Sequence, residues 1–273
     1  MSLAPETEIT EMLFRILFSI LLLTLIVLLS YWQNINLEKV FTWSFVRGFI
    51  QILLMASILI VIFELRDLLI LYGVLLFMCV FAAYTAKNRF PYPNIFKLEL
   101  VAITTASIFV MVIVTTPILT IDSTPISIIE REGTYIIPMG GMVIANVMVM
   151  TTIVLERLIA DIKKSKGTIE AALSLGDSSW NSVKPILKES FRAGLLPTTN
   201  RVAVLGIVTI PGLMSGMIIG GVSPVIAAIY QVIIFLMILS AGFIGEIIIG
   251  FLIVKELFTT EDQLKISWLN SKR

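Results

Sequence analysis

Apolar and polar stretches divide this chain before any single residue is considered. Long apolar runs occupy about Met12–Tyr31, Ser44–Phe63, Leu68–Ala86, Leu98–Leu119, Tyr135–Leu155, Leu196–Gly220 and Val225–Val254. Each approaches or exceeds the roughly 20 mostly apolar residues that a helix needs to cross a bilayer, and the last is long enough to tilt. Backbone N–H and C=O groups find no water in lipid, so the runs predict an all-α polytopic membrane protein with about seven transmembrane helices. Between the fifth and sixth runs the pattern breaks, and residues Glu156 to Gly194 read ERLIADIKKSKGTIEAALSLGDSSWNSVKPILKESFRAG. Within that interruption Thr168–Leu175 reads as a short helix, with Gly167 or Thr168 at its start and Gly176 where a left-handed C-cap is needed. Asp177, Ser178 and Ser179 are positioned to cap a second helix beginning at Trp180. The expected product is helix, sharp turn, helix, with Ala171 and Ala172 forming a small-residue face behind Glu170.

Charge orients this pattern. The loops that share one side carry Lys39, then Lys87, Arg89 and Lys97, then Arg157, Lys163, Lys164, Lys166, Lys184, Lys188 and Arg192, and finally Lys255, Lys265, Lys272 and Arg273. The opposite side holds Arg66 and Arg131. Basic residues stay in the cytoplasm, so the N-terminus is expected outside, the C-terminus inside and the Glu156–Gly194 loop cytoplasmic. Trp32, Trp43, Tyr31, Tyr92 and Tyr135 fall near the predicted interfaces, as amphipathic rings do. The outer loop Thr120–Thr134 carries Asp122, Glu130 and Glu132 against Arg131, which reads as a solvated loop that avoids positive charge or as a mild acidic rim for cations. The N-terminal segment is acidic and lacks a basic n-region, so no cleaved signal peptide is expected.

Composition narrows the chemistry. The 273 residues are 58% hydrophobic and 14% charged, with a net charge of +1, against 45–50% apolar and about 25% charged in a soluble domain. No basic stripe points to nucleic acid. There is no histidine, and the single cysteine, Cys79, lies in an apolar run, which removes the commonest metal ligand and general base and any intramolecular disulfide. No Gly-x-x-x-x-Gly-Lys-Ser/Thr loop is present, so nucleotide chemistry, if used, resides in another chain. Paired carboxylates and Ser/His/Asp sets are absent, and an enzyme is not expected.

Polar groups inside spans are costly and therefore candidates for function. Arg47 and Gln51 lie four residues apart on the second span; Arg47 either snorkels to the surface or serves a path, and Gln51, one turn deeper, either bonds another helix or lines that path. The fifth span opens with Pro138-Met-Gly-Gly-Met142, where Pro138, Gly140 and Gly141 permit a bend or close helix contact. Asn146 follows and needs a hydrogen-bond partner, as packing glue or as a substrate contact. Met139, Met142, Met148 and Met150 either fill space or offer thioethers to a soft cation. Pro211-Gly212 breaks the sixth run between Gly206 and Gly216. Because non-helical backbone at membrane depth must be buried in protein or line an aqueous cavity, Ile207 to Gly216, including Met214, reads as a gating element or a structural kink. Glu246 in the seventh run must pair, face a cavity or carry a proton, unless it lies near the cytoplasmic surface and hydrates.

Several of these stretches carry a resemblance. Glu170-Ala171-Ala172-x-x-x-Gly176, in a long loop between the last spans, looks like the coupling motif by which ABC-transporter permeases dock on their ATPase subunit. Arg47-Gly-Phe-Ile-Gln51, Ile137-Pro-Met-Gly-Gly-Met142 with Asn146, Glu156-Arg157, Pro197-Thr-Thr-Asn200 and Gly206-Ile-Val-Thr-Ile-Pro-Gly-Leu-Met-Ser-Gly216 are similar to the FetB family of permeases, linked to iron export in bacteria and aluminium tolerance in plants. ABC importers usually follow the coupling glycine with a Leu-Pro step, where this chain reads Pro185-Ile-Leu-Lys188. The resemblance implies a single permease domain over residues 1–273 with 156–194 as its coupling loop, in the inner or plasma membrane. It further implies a homodimer, an ABC ATPase partner that binds ATP and Mg, and a cargo of iron or another metal ion, with no cofactor on this chain itself. On that view Glu170, Ala171, Ala172, Gly176 and Trp180 couple to the ATPase, and Arg47, Gln51, Pro138, Gly141, Asn146, Pro211, Gly212, Met214 and Glu246 line or gate the path. Two other readings stay open from the residues alone: an ATP-independent channel or proton-coupled carrier using Glu246, and a non-transporting scaffold or sensor.

Overall fold

The structure, a computed structural model, describes residues 5–64, 67–120 and 133–265. The predicted acidic outer loop, with Asp122, Glu130, Arg131 and Glu132, lies outside them, as do Arg66, Lys272 and Arg273. The chain divides after Glu64 into two units. The first is a helical hairpin, α1 (Pro5–Trp32) and α2 (Glu38–Glu64). Its turn places Asn34 and Asn36 in the left-handed region, at φ 54° and 59°, which asparagine tolerates better than most residues. The Ser30 hydroxyl donates to Glu38 Oε1 at 3.0 Å and accepts from the Leu37 amide at 3.3 Å, locking the two helix ends together.

The second unit contains α3 (Leu68–Lys87), α4 (Ile95–Thr120), α5 (Gly133–Lys164), α6 (Lys166–Ser174), α7 (Ser179–Ala203), α8 (Gly212–Ile219) and α9 (Pro224–Leu257). Helix directions follow from their contacts. Tyr135 at the start of α5 stacks near Tyr230 at the start of α9, with ring centroids 6.1 Å apart, and Leu158 and Ile162 near the other end of α5 share a core with Ile253 and Leu257. The two helices therefore run parallel. α4 is antiparallel to both, since Asn94 just before it donates to Glu256 Oε1 at 2.8 Å and Tyr92 accepts from Lys163 Nζ at 2.8 Å. These contacts gather Lys87, Lys97, Lys163 and Lys255 at one end of the bundle, as the charge pattern requires.

Among the described residues, six helices are long and apolar enough to cross a membrane: Phe14–Trp32, Glu38–Ile60, Leu68–Lys87, Ile95–Thr115, Tyr135–Lys164 and Pro224–Leu257. They correspond to six of the seven predicted runs. The remaining run, Leu196–Gly220, is a correction: it is no continuous helix but the end of α7, a non-helical stretch at 204–211, and the 8-residue α8. Gly206 turns the chain at φ +79°, and its amide donates to the Thr209 carbonyl at 2.9 Å. Pro211, which has no N–H to continue a ladder, takes extended angles and starts α8. The broken segment still makes a return pass. α5 ends and α9 begins at opposite ends of a parallel pair, so the chain between them must travel back along the bundle.

Small residues set the helix spacing, as expected where lipid offers no hydrophobic drive between helices. A methyl on Gly140 or Gly242 would collide with Leu75 and Met150 respectively. On Gly250 it would lie 2.7 Å from the Phe191 ring, and on Gly245 2.8 Å from Val147 Cγ1. α9 thus meets α5 and α7 through its glycines, while α4 packs in the groove between α5 and α9.

Candidate functional site

The loop between α5 and α7 folds as its local sequence demands. Ile169 is buried in the core with Leu158, Ile162, Val183 and Leu187 and anchors α6, whose opposite face is exposed. Glu170 and Ala171 lie on that face, and Lys166 Nζ approaches Glu170 Oε1 at 3.7 Å, one turn apart. The helix starts two residues earlier than predicted, at Lys166, and no side chain caps it. Its end is as predicted. Gly176 stands at φ +89°, its amide donates to the Leu173 carbonyl at 3.0 Å and the Asp177 amide to the Ala172 carbonyl at 3.1 Å, the paired bonds of a Schellman cap. The turn thrusts Leu175 out, 90% exposed. Ser178 then caps α7, accepting from the Asn181 amide at 3.3 Å.

Trp180 faces the bundle as well as solvent, with its ring 6.0 Å from that of Phe251. A strap after α9 holds the same corner. Phe258 pairs with Leu264, and Asp262 Oδ1 accepts from the Ser179 amide at 3.2 Å. The start of α7 is therefore tied to the end of α9, and the turn at Gly176 projects from a fixed corner.

From that corner α7 runs on to a set of polar groups, some buried and some exposed. Asn146, whose partner the sequence left open, donates to the Met142 carbonyl at 2.8 Å and accepts from Arg201 Nη2 at 2.7 Å. The same Arg201 nitrogen donates to Thr198 Oγ1 at 3.2 Å, so the Asn146 and Pro197–Asn200 motifs meet through a residue that the sequence reading did not single out. Two turns earlier along α7, nearer that corner, Gly194 backs onto Glu246, and a methyl there would overlap the carboxyl Oε1 and sit 2.9 Å from Val154. Glu246 is completely buried, and among the described residues no donor reaches either oxygen. It does not hydrate at the surface.

A second buried carboxyl was missed by the sequence reading. Glu99 of α4 is completely buried, with Thr151 Oγ1 2.8 Å from its Oε2 and, among the described residues, no donor to its Oε1. Thr151 also lies 3.1 Å from the Met148 carbonyl, and its single hydroxyl proton serves one acceptor fully. The signal was present: one acidic residue in the run LELVAITTASIFVMVIV. It stood second in the predicted span, where it reads as an interface residue, but α4 begins nearly a turn earlier.

The remaining candidates scatter. Arg47 and Gln51 belong to α2 in the first unit. Pro138 and Gly141 lie where α5 meets α3, with Met78 Cε 2.9 Å from a methyl built on Gly141. Met139 and Met150 are buried packing residues. Pro211 and Gly212 open α8, and Met214 packs there beside Met217 and Tyr230. Ile207, Val208 and Ile210 around the break are strongly exposed. Among the described residues no group of three or more His, Cys, Asp or Glu could hold a metal ion.

Residues 13–258 match the family model described as "Uncharacterised protein family (UPF0014)". The chain belongs to the UPF0014 family. This UPF0014 protein is 29% identical over 255 residues to the "Probable iron export permease protein FetB" of Escherichia coli (strain K12), covering 93% of this chain and 95% of the relative. It is 29% identical over 251 residues to "Protein ALUMINUM SENSITIVE 3" of Arabidopsis thaliana, covering 90% and 88%. Over 138 residues it is 34% identical to the "UPF0014 membrane protein YjkA" of Bacillus subtilis (strain 168), covering 50% and 55%. No solved structure matches. A multi-pass membrane protein of a permease family follows from the helices and these relatives together.

Proposed function

We propose that this chain is the permease half of an ABC transporter that exports iron or another metal cation, with ATP and Mg bound by a separate ATPase. The observation that carries the reading is the continuity between docking turn and buried layer. α6 presents Glu170, Ala171 and Leu175 outward, and α7 leads directly from that turn to Gly194 against Glu246 and Arg201 on Asn146. A push on the turn therefore reaches the interior through one helix of 25 residues, about 37 Å long at 1.5 Å per residue.

The cytoplasmic placement of this turn rests on the basic residues gathered at its end of the bundle. The metal cargo rests on one relative's name as a probable iron export permease. Two copies form the path. The non-helical backbone at 204–211 interrupts an apolar run, where such backbone needs protein or water over it, and the exposed Ile207, Val208 and Ile210 give a second copy an apolar surface.

Co-purification of the chain from native membranes tests the reading. A stoichiometric ATPase is expected with the wild type and is expected to be lost in Leu175→Asp and Glu170→Arg, both of which alter exposed side chains and leave the bundle folded. An ATPase retained undiminished by both variants sinks the docking claim. The burial of Glu246 favours one other reading, a carrier that needs no ATPase, and that reading requires flux in liposomes from this chain alone.

A further inference from the structure

The last turns of α9 change character along one line. Phe243, Ile247 and Phe251 follow one another at four-residue steps and all three are exposed, so they form an outward apolar stripe along the helix. Lys255 is the next residue of that register and is exposed as well. The surface thus passes from apolar to cationic within one turn, as it does where hydrocarbon gives way to headgroups. The strap after α9 returns a second lysine to this level: Phe258 pairs with Leu264, and the Lys265 amide donates to the Leu257 carbonyl at 2.8 Å. Trp180 stands on the remaining side, its ring 6.0 Å from that of Phe251. These groups enclose a cleft of about 460 Å³ whose walls include Trp180, Phe251, Lys255, Phe258, Thr259 and Lys265, a volume within the roughly 300–1,000 Å³ of small-molecule sites.

The acidic residues of this corner are engaged elsewhere. Asp262 accepts from the Ser179 amide, Glu261 from the Thr260 hydroxyl and Glu256 from Asn94. Among the described residues no carboxylate forms an ion pair with Lys255 or Lys265, and the sequence after Lys265, ISWLNSKR, holds no acidic side chain. The cleft therefore offers two cations at its mouth and an aromatic wall that continues into the apolar stripe.

We propose that this cleft binds an anionic phospholipid, with the phosphate between Lys255 and Lys265 and an acyl chain laid along Phe251, Ile247 and Phe243. Such a lipid joins a negative head to an apolar chain in the order in which the cleft and the stripe present their complements. A free phosphate or an acidic protein segment matches the lysines and leaves the stripe unused. Trp180 is then a lipid contact, with its amphipathic ring at headgroup level, in place of the coupling role that the resemblance implies for it. A basic residue beside anionic headgroups favours them by about 5-fold. The site does not depend on the ATPase.

The test uses the full chain with Trp180 as its only tryptophan, Trp32, Trp43 and Trp268 being replaced by phenylalanine, in phosphatidylcholine nanodiscs that contain a minor fraction of phosphatidylglycerol. Bromine on an acyl chain quenches indole fluorescence only at close range. Brominated phosphatidylglycerol is expected to quench Trp180 severalfold more than the same fraction of brominated phosphatidylcholine. Lys255→Gln and Lys265→Gln are each expected to weaken that preference by about 5-fold, and together to abolish it. Lys164→Gln, at an exposed lysine near the end of α5, is expected to leave it intact, as is excess inorganic phosphate. If the phenylalanine background does not fold, the difference between wild type and Trp180→Phe gives the same signal. Equal quenching by the two lipids, or a preference that survives the double lysine variant, overturns the proposal. Displacement of the brominated lipid by inorganic phosphate assigns the lysines to a free anion and overturns it too, and loss of a co-purifying ATPase in the lysine variants, with no lipid preference in the wild type, assigns the cleft to protein docking instead. Failure of any ATPase to co-purify sinks the permease reading and leaves the lipid measurements standing.

Discussion

Replacing Gly176 by alanine isolates a backbone effect at the turn between α6 and α7. Nothing lies within 4 Å of a methyl built there, and Gly176 stands at φ +89°, so the substitution adds no clash and removes no packing. What it adds is the cost of a left-handed conformation for an L-residue with a Cβ, about 1–2 kcal/mol. That cost falls on the two bonds that close the turn, from the Gly176 amide to Leu173 and from the Asp177 amide to Ala172. A change of that size corresponds to roughly a 5- to 30-fold shift in a local opening equilibrium. Hydrogen exchange of the chain in nanodiscs reads it directly. Amides 176 and 177 are expected to lose protection by about that factor in Gly176→Ala, and by less in Gly176→Asn, since asparagine visits the left-handed region more readily. Amides in the α5–α9 core are expected to be unchanged, because Ile169 still anchors α6. Equal protection in wild type and Gly176→Ala, or losses that spread evenly into the core, would refute the assignment of this glycine to backbone geometry.

Two further predictions concern the bundle. Gly250→Leu drives a side chain into Phe191 and Leu187, whose atoms already lie 2.7 and 3.2 Å from a bare methyl; overpacking costs about 1–3 kcal/mol, expected as a lower unfolding temperature with α7 exchanging faster than α3, and an unchanged midpoint contradicts the packing. Asn146→Leu and Arg201→Met are expected to be non-additive by about 1 kcal/mol in a double-mutant cycle of stability, low in the range because Arg201 is exposed, and simple additivity would mean that the 2.7 Å bond between them contributes nothing.

The segments that sit in the bilayer and the shape of the α6–α7 turn were legible in the sequence, because both depend on neighbours along the chain. A run of about 20 apolar residues chooses lipid whatever it packs against, and a glycine two residues past the end of a short helix, with Ser178 behind it, closes a turn through bonds spanning a few residues. The side of the bundle bearing the lysines was legible for the same reason. The sixth run was read as a span broken at Pro211-Gly212, and the break is there but begins earlier, at 204, because Gly206 as well as Pro211 denies the chain a continuous ladder.

What only the tertiary structure decided was who meets whom at depth. Arg201 reaches Asn146 across 55 residues and Thr151 reaches Glu99 across 52, distances over which no spacing rule operates. Gly194 looked like the end of a polar loop, and Glu246 like a carboxylate with several possible surroundings. Their contact exists because α5 and α9 run parallel and the broken pass returns between their ends, laying α7 against α9 at the one place where a missing side chain makes room for a buried acid.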